Sequence, residues 1–237
     1  MNDQYQTLAQ FYDSFVSKNR NYPEIATELA EIIGNDRNLL DIGIGTGLIV
    51  EHLLHIEPSY QITGIDTSEP LLEQAKQRLG QKVDLYCQSV SELDLAQQFD
   101  VAYSRGGAWT LVNEQSKTML ASHIFSSTDI QKSFDYVAKH LNEKGRLIIS
   151  SSNAYGDNLV ELDNGIVHKR SATTEFIENE RYAILDYRFY QNDELLAQQI
   201  LKLRLLSHQT FTKMLEEAGF VEETIKPGKY YIYSKRS

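Results

Sequence analysis

Cysteine is nearly missing from this sequence. One residue of 237, Cys87, is a cysteine, which excludes an intrachain disulfide framework and a metal site built from several thiolates. No apolar run approaches the length needed to span a bilayer. The start, Met1 to Gln10, is polar and has no apolar signal core. A cytoplasmic protein with no membrane partner is therefore the expectation. Basic residues are also short: 23 Lys+Arg stand against 33 Asp+Glu, a net charge of −10, with no long Lys or Arg run. Such a surface repels a phosphate backbone, so nucleic acid is not expected as a partner. What remains is ordinary globular composition, 41% hydrophobic and 24% charged, a poor fit to disorder, collagen or coiled coil. The length suits one domain carrying an insertion.

Periodicity divides the chain. Leu8, Phe11, Tyr12 and Phe15 recur at helical spacing, as do Ile25, Ala26, Leu29, Ile32 and Ile33 behind Pro23, which can open a helix. Asn38 to Ile42 reads as a short apolar strand, Leu48 to Ile56 as a helix and Gln61 to Ile65 as a second strand. Glu69 to Leu79 reads as a helix with Ser68 as its cap. Lys82 to Tyr86, Asp100 to Ser104 and Arg146 to Ser151 read as further strands, with a helix over Ile130 to Leu141. Strands alternating with helices imply a parallel sheet covered on both faces. From Asn158 to Leu206 the pattern changes to antiparallel strands, with turn signals at Asp163-Asn164-Gly165 and Gln191-Asn192-Asp193. A helix over Gln209 to Ala218 and a hairpin, Val221 to Lys226 and Lys229 to Ser234 turning at Pro227-Gly228, close the chain.

The most informative stretch is Leu39-Leu40-Asp41-Ile42-Gly43-Ile44-Gly45-Thr46-Gly47. A buried strand ends in glycines and feeds a helix. Glycine permits unusual backbone angles and close approach of a ligand, and the helix start offers unpaired N–H groups to a negative group. About twenty residues on, Asp66 ends the next strand, where a carboxylate can accept two hydrogen bonds from a ribose diol. A dinucleotide fingerprint would place its third glycine at Leu48, and Asp41 would repel a pyrophosphate. Both features suit a ribose carrying a zwitterionic amino-acid tail, and both weaken a nicotinamide dehydrogenase reading.

These residues resemble the first motif of the class I, Rossmann-like, S-adenosylmethionine-dependent methyltransferases. Gly64-Ile65-Asp66-Thr67-Ser68-Glu69-Pro70-Leu71-Leu72, Phe99-Asp100-Val101-Ala102-Tyr103-Ser104 and Leu141-Asn142-Glu143-Lys144-Gly145-Arg146-Leu147 resemble the family's later segments. The match covers about residues 36 to 152 and 207 to 235. The fold it implies is α/β: a doubly wound, mostly parallel seven-stranded sheet with helices on both faces. The expected organisation is an N-terminal helical lid over 1–35 and a cofactor-binding core over 36–152 and 207–237. An antiparallel insertion over 153–206 would serve the substrate side or a homodimer contact. The resemblance implies that Asp41, Gly43 and Gly45 line the cofactor's methionine tail, that Asp66 holds the ribose, and that Thr67 and Leu71 flank the adenine. Ser89 takes the place of the family's usual acidic residue at the adenine amino group, and Ser104 and Arg105 run along the methyl-bearing end. Tyr12-Asp13, and Tyr22 before Glu24-Ile25-Ala26, resemble the lid of small-molecule N-methyltransferases, including those acting on nucleotide-linked amino sugars; there such tyrosines approach the cofactor's carboxylate or sulfonium.

Methyl transfer from a sulfonium is an in-line displacement from an already activated carbon, so the protein has mainly to align the reactants and exclude water. Aromatic surroundings fit a dispersing positive charge. A base is needed only for a protonated acceptor, and candidates lie in Gly106 to Ser127, read as a lid on the substrate side. They are His123 as base and Trp109 as substrate platform, with Glu114 read as a solvated helix-start residue. No metal is expected: the position after the fourth strand reads Ser104-Arg105-Gly106-Gly107, without a carboxylate, and His52 and His55 lack a third ligand at helical spacing. Cys87 reads as a small filler at a buried strand end. The expected reaction moves a methyl group from S-adenosylmethionine to a small-molecule acceptor, an amine nitrogen ahead of a hydroxyl. A small-molecule O-methyltransferase and a non-catalytic module that binds the same cofactor stay open as alternatives.

Overall fold

The computed structural model describes residues 7–18, 20–114, 117–153, 155–226 and 229–236. Two N-terminal helices, α1 (Tyr12–Lys18) and α2 (Tyr22–Ile33), precede the sheet. Asn21 caps α2 by accepting from the Glu24 amide at 3.4 Å, and Gly34 ends it with a φ of 68°. Then follow β1 (Asn38–Ile42), α3 (Leu48–Ile56), β2 (Gln61–Asp66), α4 (Glu69–Leu79), β3 (Val83–Cys87) and β4 (Phe99–Ser104). The middle holds β5 (Trp109–Glu114), β6 (Lys117–Ser122), α5 (Ser127–His140) and the long β7 (Leu141–Asn153). The strands β8 (Asn158–Glu161), β9 (Ile166–Ile177), β10 (Glu180–Gln191) and β11 (Glu194–Ser207) come next. The chain ends in α6 (His208–Glu217), β12 (Phe220–Lys226) and β13 (Tyr230–Lys235).

The sheet has thirteen strands among the described residues, more than the seven expected. Its Rossmann-like part runs β3-β2-β1-β4-β7-β13-β12, parallel except for β13, which runs against both of its neighbours. Helices α5 and α6 cover one face through Phe134, Val137, Phe211 and Leu215; α2, α3 and α4 cover the other through Leu29, Val50, Leu53 and Ala75. Strand order reverses between β1 and β4, and the crevice at the carboxyl ends there is where such sheets take ligands. The extra strands run β5-β6-β11-β10-β9-β8 and join the first part where β7 passes beyond β13 and pairs with β5 at Ser151 to Asn153.

Several expectations need correcting. Strands β5 (109–114) and β6 (117–122) pair antiparallel within the extra sheet and do not form a lid, because Thr110, Leu111, Val112, Leu120 and Ala121 bury both faces. Glu114 ends a strand and pairs with Arg181 at 2.8 Å; it does not start a helix. Cys87 is exposed, because only the inward side of β3 is covered. Ser68 stands at the start of α4, but its side chain makes no capping bond; Asp66 Oδ1 accepts from the Ser68 amide instead, at 2.9 Å. The expected turn at Pro227-Gly228 and residues 1–6 of the polar N-terminal segment lie outside the described residues. No described helix is long and apolar enough to cross a membrane.

Helix α1 and the turn before it tie the two parts of the sheet together. Phe11 stacks on Phe189 of β10 at 4.3 Å between ring centroids, while Val16 packs into the core above β1. Phe15 stacks on His168 of β9 at 5.0 Å. His168 is 1% exposed, and neither ring nitrogen has a hydrogen-bond partner.

Candidate active site

The site begins at the carboxyl end of β1. Gly43, Gly45 and Gly47 have φ of 81°, 57° and 77°, the left-handed region that disfavours side chains. Gly43 is also required by contact: a Cβ there would lie 2.3 Å from the Gly107 Cα, in the loop leaving β4. At Gly45 the covering group comes from the lid, since an added Cβ would lie 4.0 Å from Cε1 of Tyr12.

Asp66 is fixed against this crook. Its Oδ2 accepts from the Gly45 amide at 2.9 Å, while Oδ1 holds Ser68. A carboxylate has about four lone-pair sites, so two backbone bonds set its orientation and leave acceptors for a diol. Asp41 lies one strand over, 4% exposed. Burial raises its carboxyl to about 7 and the Asp66 charge adds to the rise. The Tyr103 hydroxyl, which falls short of full hydrogen-bond geometry, and the Arg105 charge offset only part. A buried carboxyl so placed is stabilised in its charged form by an arriving ammonium.

The lid is latched to the crook. Asp13 of α1 accepts from the Thr46 hydroxyl at 2.6 Å and pairs with Arg78 of α4, whose Nε also faces Glu51 at 3.3 Å. This holds Tyr12 over Gly45. Asp13→Ala should therefore weaken S-adenosylhomocysteine binding about three- to tenfold, with Asp13→Asn keeping the Thr46 bond and part of the affinity. Isothermal calorimetry of the three proteins checks this; equal affinities would remove the latch.

Beside the crook opens a cavity of about 380 Å³, bounded by α1, α2, the end of β7 and the inner face of β10 and β11. Tyr12, Arg105 and His123 line it. Arg105 sits between cavity and crook. It faces Asp41, lies 5.5 Å from the Tyr22 ring and bonds Tyr230. His123 is half-buried, and burial lowers its imidazole to about 4, so the ring is neutral at pH 7. His168 is lowered to about 4 as well, by burial first and the Arg170 charge second. An unfolded chain binds protons on both rings near the ordinary 6.5, so the folded state loses stability as pH falls from there toward 4. Above that window the contribution is complete. Denaturant melts at pH 7 and 4.5 should show this loss reduced in His168→Phe; an unchanged acid limb would contradict it.

The structure separates the expected residues. Asp41, Gly43, Gly45, Asp66 and Tyr12 come together around the crook, with Tyr22 beneath Arg105. Thr67 is exposed and Leu71 is 2% exposed at the start of α4, next to Asp66. Ser89 is turned inward, because its hydroxyl bonds Ser91 Oγ at 2.8 Å and caps the 3-10 turn Val90–Glu92. Ser104 is 1% exposed and closes the loop after β4 by donating to the Trp109 carbonyl at 2.9 Å, so Arg105 alone of that pair reaches the cavity. Trp109 is a core residue: it is 0% exposed and packs on Phe134 at 4.7 Å, away from the cavity, because the strand alternation of β5 turns it toward α5. Sequence reading missed Arg20, Tyr155 and Tyr187 of the cavity and the Thr46–Asp13–Arg78 latch. Among the described residues no group of three His, Cys, Asp or Glu could hold a metal ion.

Comparison with known proteins shows what the chain resembles. Residues 39–128 match the family model of the methyltransferase domain. A malonyl-[acyl-carrier protein] O-methyltransferase of Anoxybacillus flavithermus is 25% identical over 159 residues, 66% of this chain and 53% of that protein. The chain thus spans about half the length of this curated relative. A solved S-adenosylmethionine-dependent methyltransferase from Clostridium acetobutylicum superposes with a TM-score of 0.70 at 19% identity, covering 98% of this chain and 99% of that one. The sugar N-methyltransferase KedS8 from a Streptoalloteichus species superposes with a TM-score of 0.69 at 18% identity, over 95% and 93%. The chain has the Rossmann-like fold of the class I S-adenosylmethionine-dependent methyltransferases, and its residues 39–128 are similar to their methyltransferase domain.

Proposed function

We propose that this chain transfers a methyl group from S-adenosylmethionine to a small-molecule acceptor, an amine nitrogen first. The observation that carries this reading is Asp66, braced by two backbone amides beside the glycine crook and under the lid, next to a cavity of about 380 Å³. Such a volume suits a small molecule. The cofactor, when bound, supplies a methyl group already activated on a sulfonium. The protein's own residues do the rest. Asp66 accepts from the ribose diol, Asp41 meets the ammonium of the tail, and Tyr12 closes the crook against water. Tyr12 keeps its proton, because burial raises its phenol above the ordinary value, so it offers a neutral hydroxyl and a π-face near the sulfonium. His123, a neutral imidazole at the cavity wall, is a weak base because burial lowers it to about 4; it can hydrogen-bond the acceptor, whose nitrogen reacts in its unprotonated form. No metal step is invoked.

The structural likeness to a sugar N-methyltransferase across nearly the whole chain supports nitrogen. A hydroxyl or carboxyl acceptor is the second reading, and the sequence relatives favour it. The non-catalytic alternative loses support from Trp109, which packs in the core and leaves the cavity open. Incubation with S-adenosylmethionine and matched amine, phenol and carboxylic acid panels, with mass detection of products, tests the reading. Methylated amines are expected; no turnover on any panel would count against an enzyme.

A further inference from the structure

Arg20 stands exposed at the mouth of the cavity, between the two lid helices. Six other arginines, at 37, 78, 146, 181, 188 and 204, each hold a carboxylate. Arg20 has no ion pair among the described residues, in a chain where acids outnumber bases 33 to 23. Its ionisable neighbours are the phenols of Tyr22, with which it hydrogen-bonds, Tyr12 and Tyr187, and Tyr155 feels its charge as well. The other cations of the cavity are engaged. Lys229 pairs with Glu28, and Arg105 faces Asp41 and Tyr230. The acids of the cavity are engaged as well: Glu28 by Lys229, and Glu24 by Asn21, whose Nδ2 donates to it at 3.1 Å.

We propose that Arg20, with the hydroxyls of Tyr12, Tyr155 and Tyr187 that line the same cavity, binds a carboxylate carried by the acceptor. This rests on the methyltransferase reading for the word acceptor, but the anion site is defined by the cavity itself. A guanidinium presents a planar fork that matches a carboxylate bidentately, and phenolic O–H groups supply further donors. One guanidinium without a carboxylate partner among the described residues, together with neutral donors, suits a singly charged carboxylate better than a phosphate ester, for which a second such cation would be expected. The cofactor's own tail is a rival source of the same chemistry. Arg105 is the cation acting on Asp41, where the tail's ammonium is placed, whereas Arg20 lies against Tyr22 and Tyr12 of the lid and reaches Tyr187 of the insertion sheet across the cavity. The acceptor's reactive atom would then point back toward Arg105 and His123, at the crook side of the cavity.

The test titrates size-matched pairs into the full chain saturated with S-adenosylhomocysteine. The pairs are benzoate and benzamide, 4-hydroxyphenylacetate and its amide, and 3-phenylpropionate and its amide. At least one acid should bind about tenfold tighter than its amide, the effect of one charge-assisted pair. That preference should vanish in Arg20→Gln and survive in part in Arg20→Lys, with S-adenosylhomocysteine affinity unchanged in both. No acid preference in any pair, or a preference that persists in Arg20→Gln, would overturn the proposal. So would a tenfold loss of S-adenosylhomocysteine affinity in Arg20→Gln with 5′-methylthioadenosine binding intact, because that assigns the carboxylate to the cofactor's tail. Repeating the pairs without cofactor separates the two claims: an S-adenosylhomocysteine titration that shows no binding defeats the methyltransferase reading, and the acid–amide ratio still decides the Arg20 site.

Discussion

Asp66→Ala should raise the dissociation constant for S-adenosylhomocysteine by about 100-fold or more. Each hydrogen bond to a charged group contributes about 1.5–3 kcal/mol, and a ribose diol makes two with this carboxylate. A loss of about 3 kcal/mol is already about 100-fold. The mutation also frees the Gly45 and Ser68 amides, now held at 2.9 Å each, so the crook itself loosens. 5′-Methylthioadenosine keeps the ribose but lacks the amino-acid tail. It should lose affinity by a similar factor, and this separates a ribose contact from a tail contact. Calorimetry of both ligands against both proteins checks the assignment. Unchanged affinity for 5′-methylthioadenosine would mean that Asp66 does not hold the ribose.

Trp109→Ala should cost about 3–5 kcal/mol of folding stability, as truncation of a large buried aromatic does. The indole is fully enclosed and packs on Phe134, with Phe99, Leu111 and Leu147 in the same core. For a chain of this size each kcal/mol shifts Tm by about 2–4 °C, so a fall of about 10 °C is expected. Trp109→Phe should recover part of it. Well below the melting point, S-adenosylhomocysteine affinity should stay within a few-fold of the parent, since the ring does not reach the cavity. A variant that melts normally but loses acceptor methylation would return Trp109 to the substrate side.

These two residues mark what the sequence could reveal. The alternation of apolar strands and amphipathic helices, the glycines at 43, 45 and 47, and Asp66 ending β2 are local patterns. Each has a local physical cause, so each was legible. Helix α4 falls on Glu69–Leu79 as expected, and α3 on Leu48–Ile56. Trp109 was not legible. Its two preceding glycines suggested a loop beside a ligand, but Gly107 is there because its backbone passes against Gly43, a contact between residues over sixty positions apart. Period-two burial across β5 was hidden because both of its faces are covered, which leaves no alternation to read. The same holds for Ser89 and Ser104, whose hydroxyls serve turns two and five residues on. The lid latch was half visible: Asp13 stood beside Tyr12 in the motif, whereas Arg78, 65 residues away, is brought in by α4. Arg20 carried no pattern at all. Its significance is the absence of a carboxylate partner among the described residues, which only the three-dimensional arrangement reveals.

We propose that the crook after β1 and the carboxylate that ends β2 grip one particular nucleoside. The most direct measurement is a calorimetric titration of the purified chain with S-adenosylhomocysteine, with NAD as the comparison ligand. One-to-one saturable binding of S-adenosylhomocysteine, greatly weakened in Asp66→Ala, with no saturable heat from NAD, is the result expected. Saturable binding of NAD with none of S-adenosylhomocysteine would contradict it.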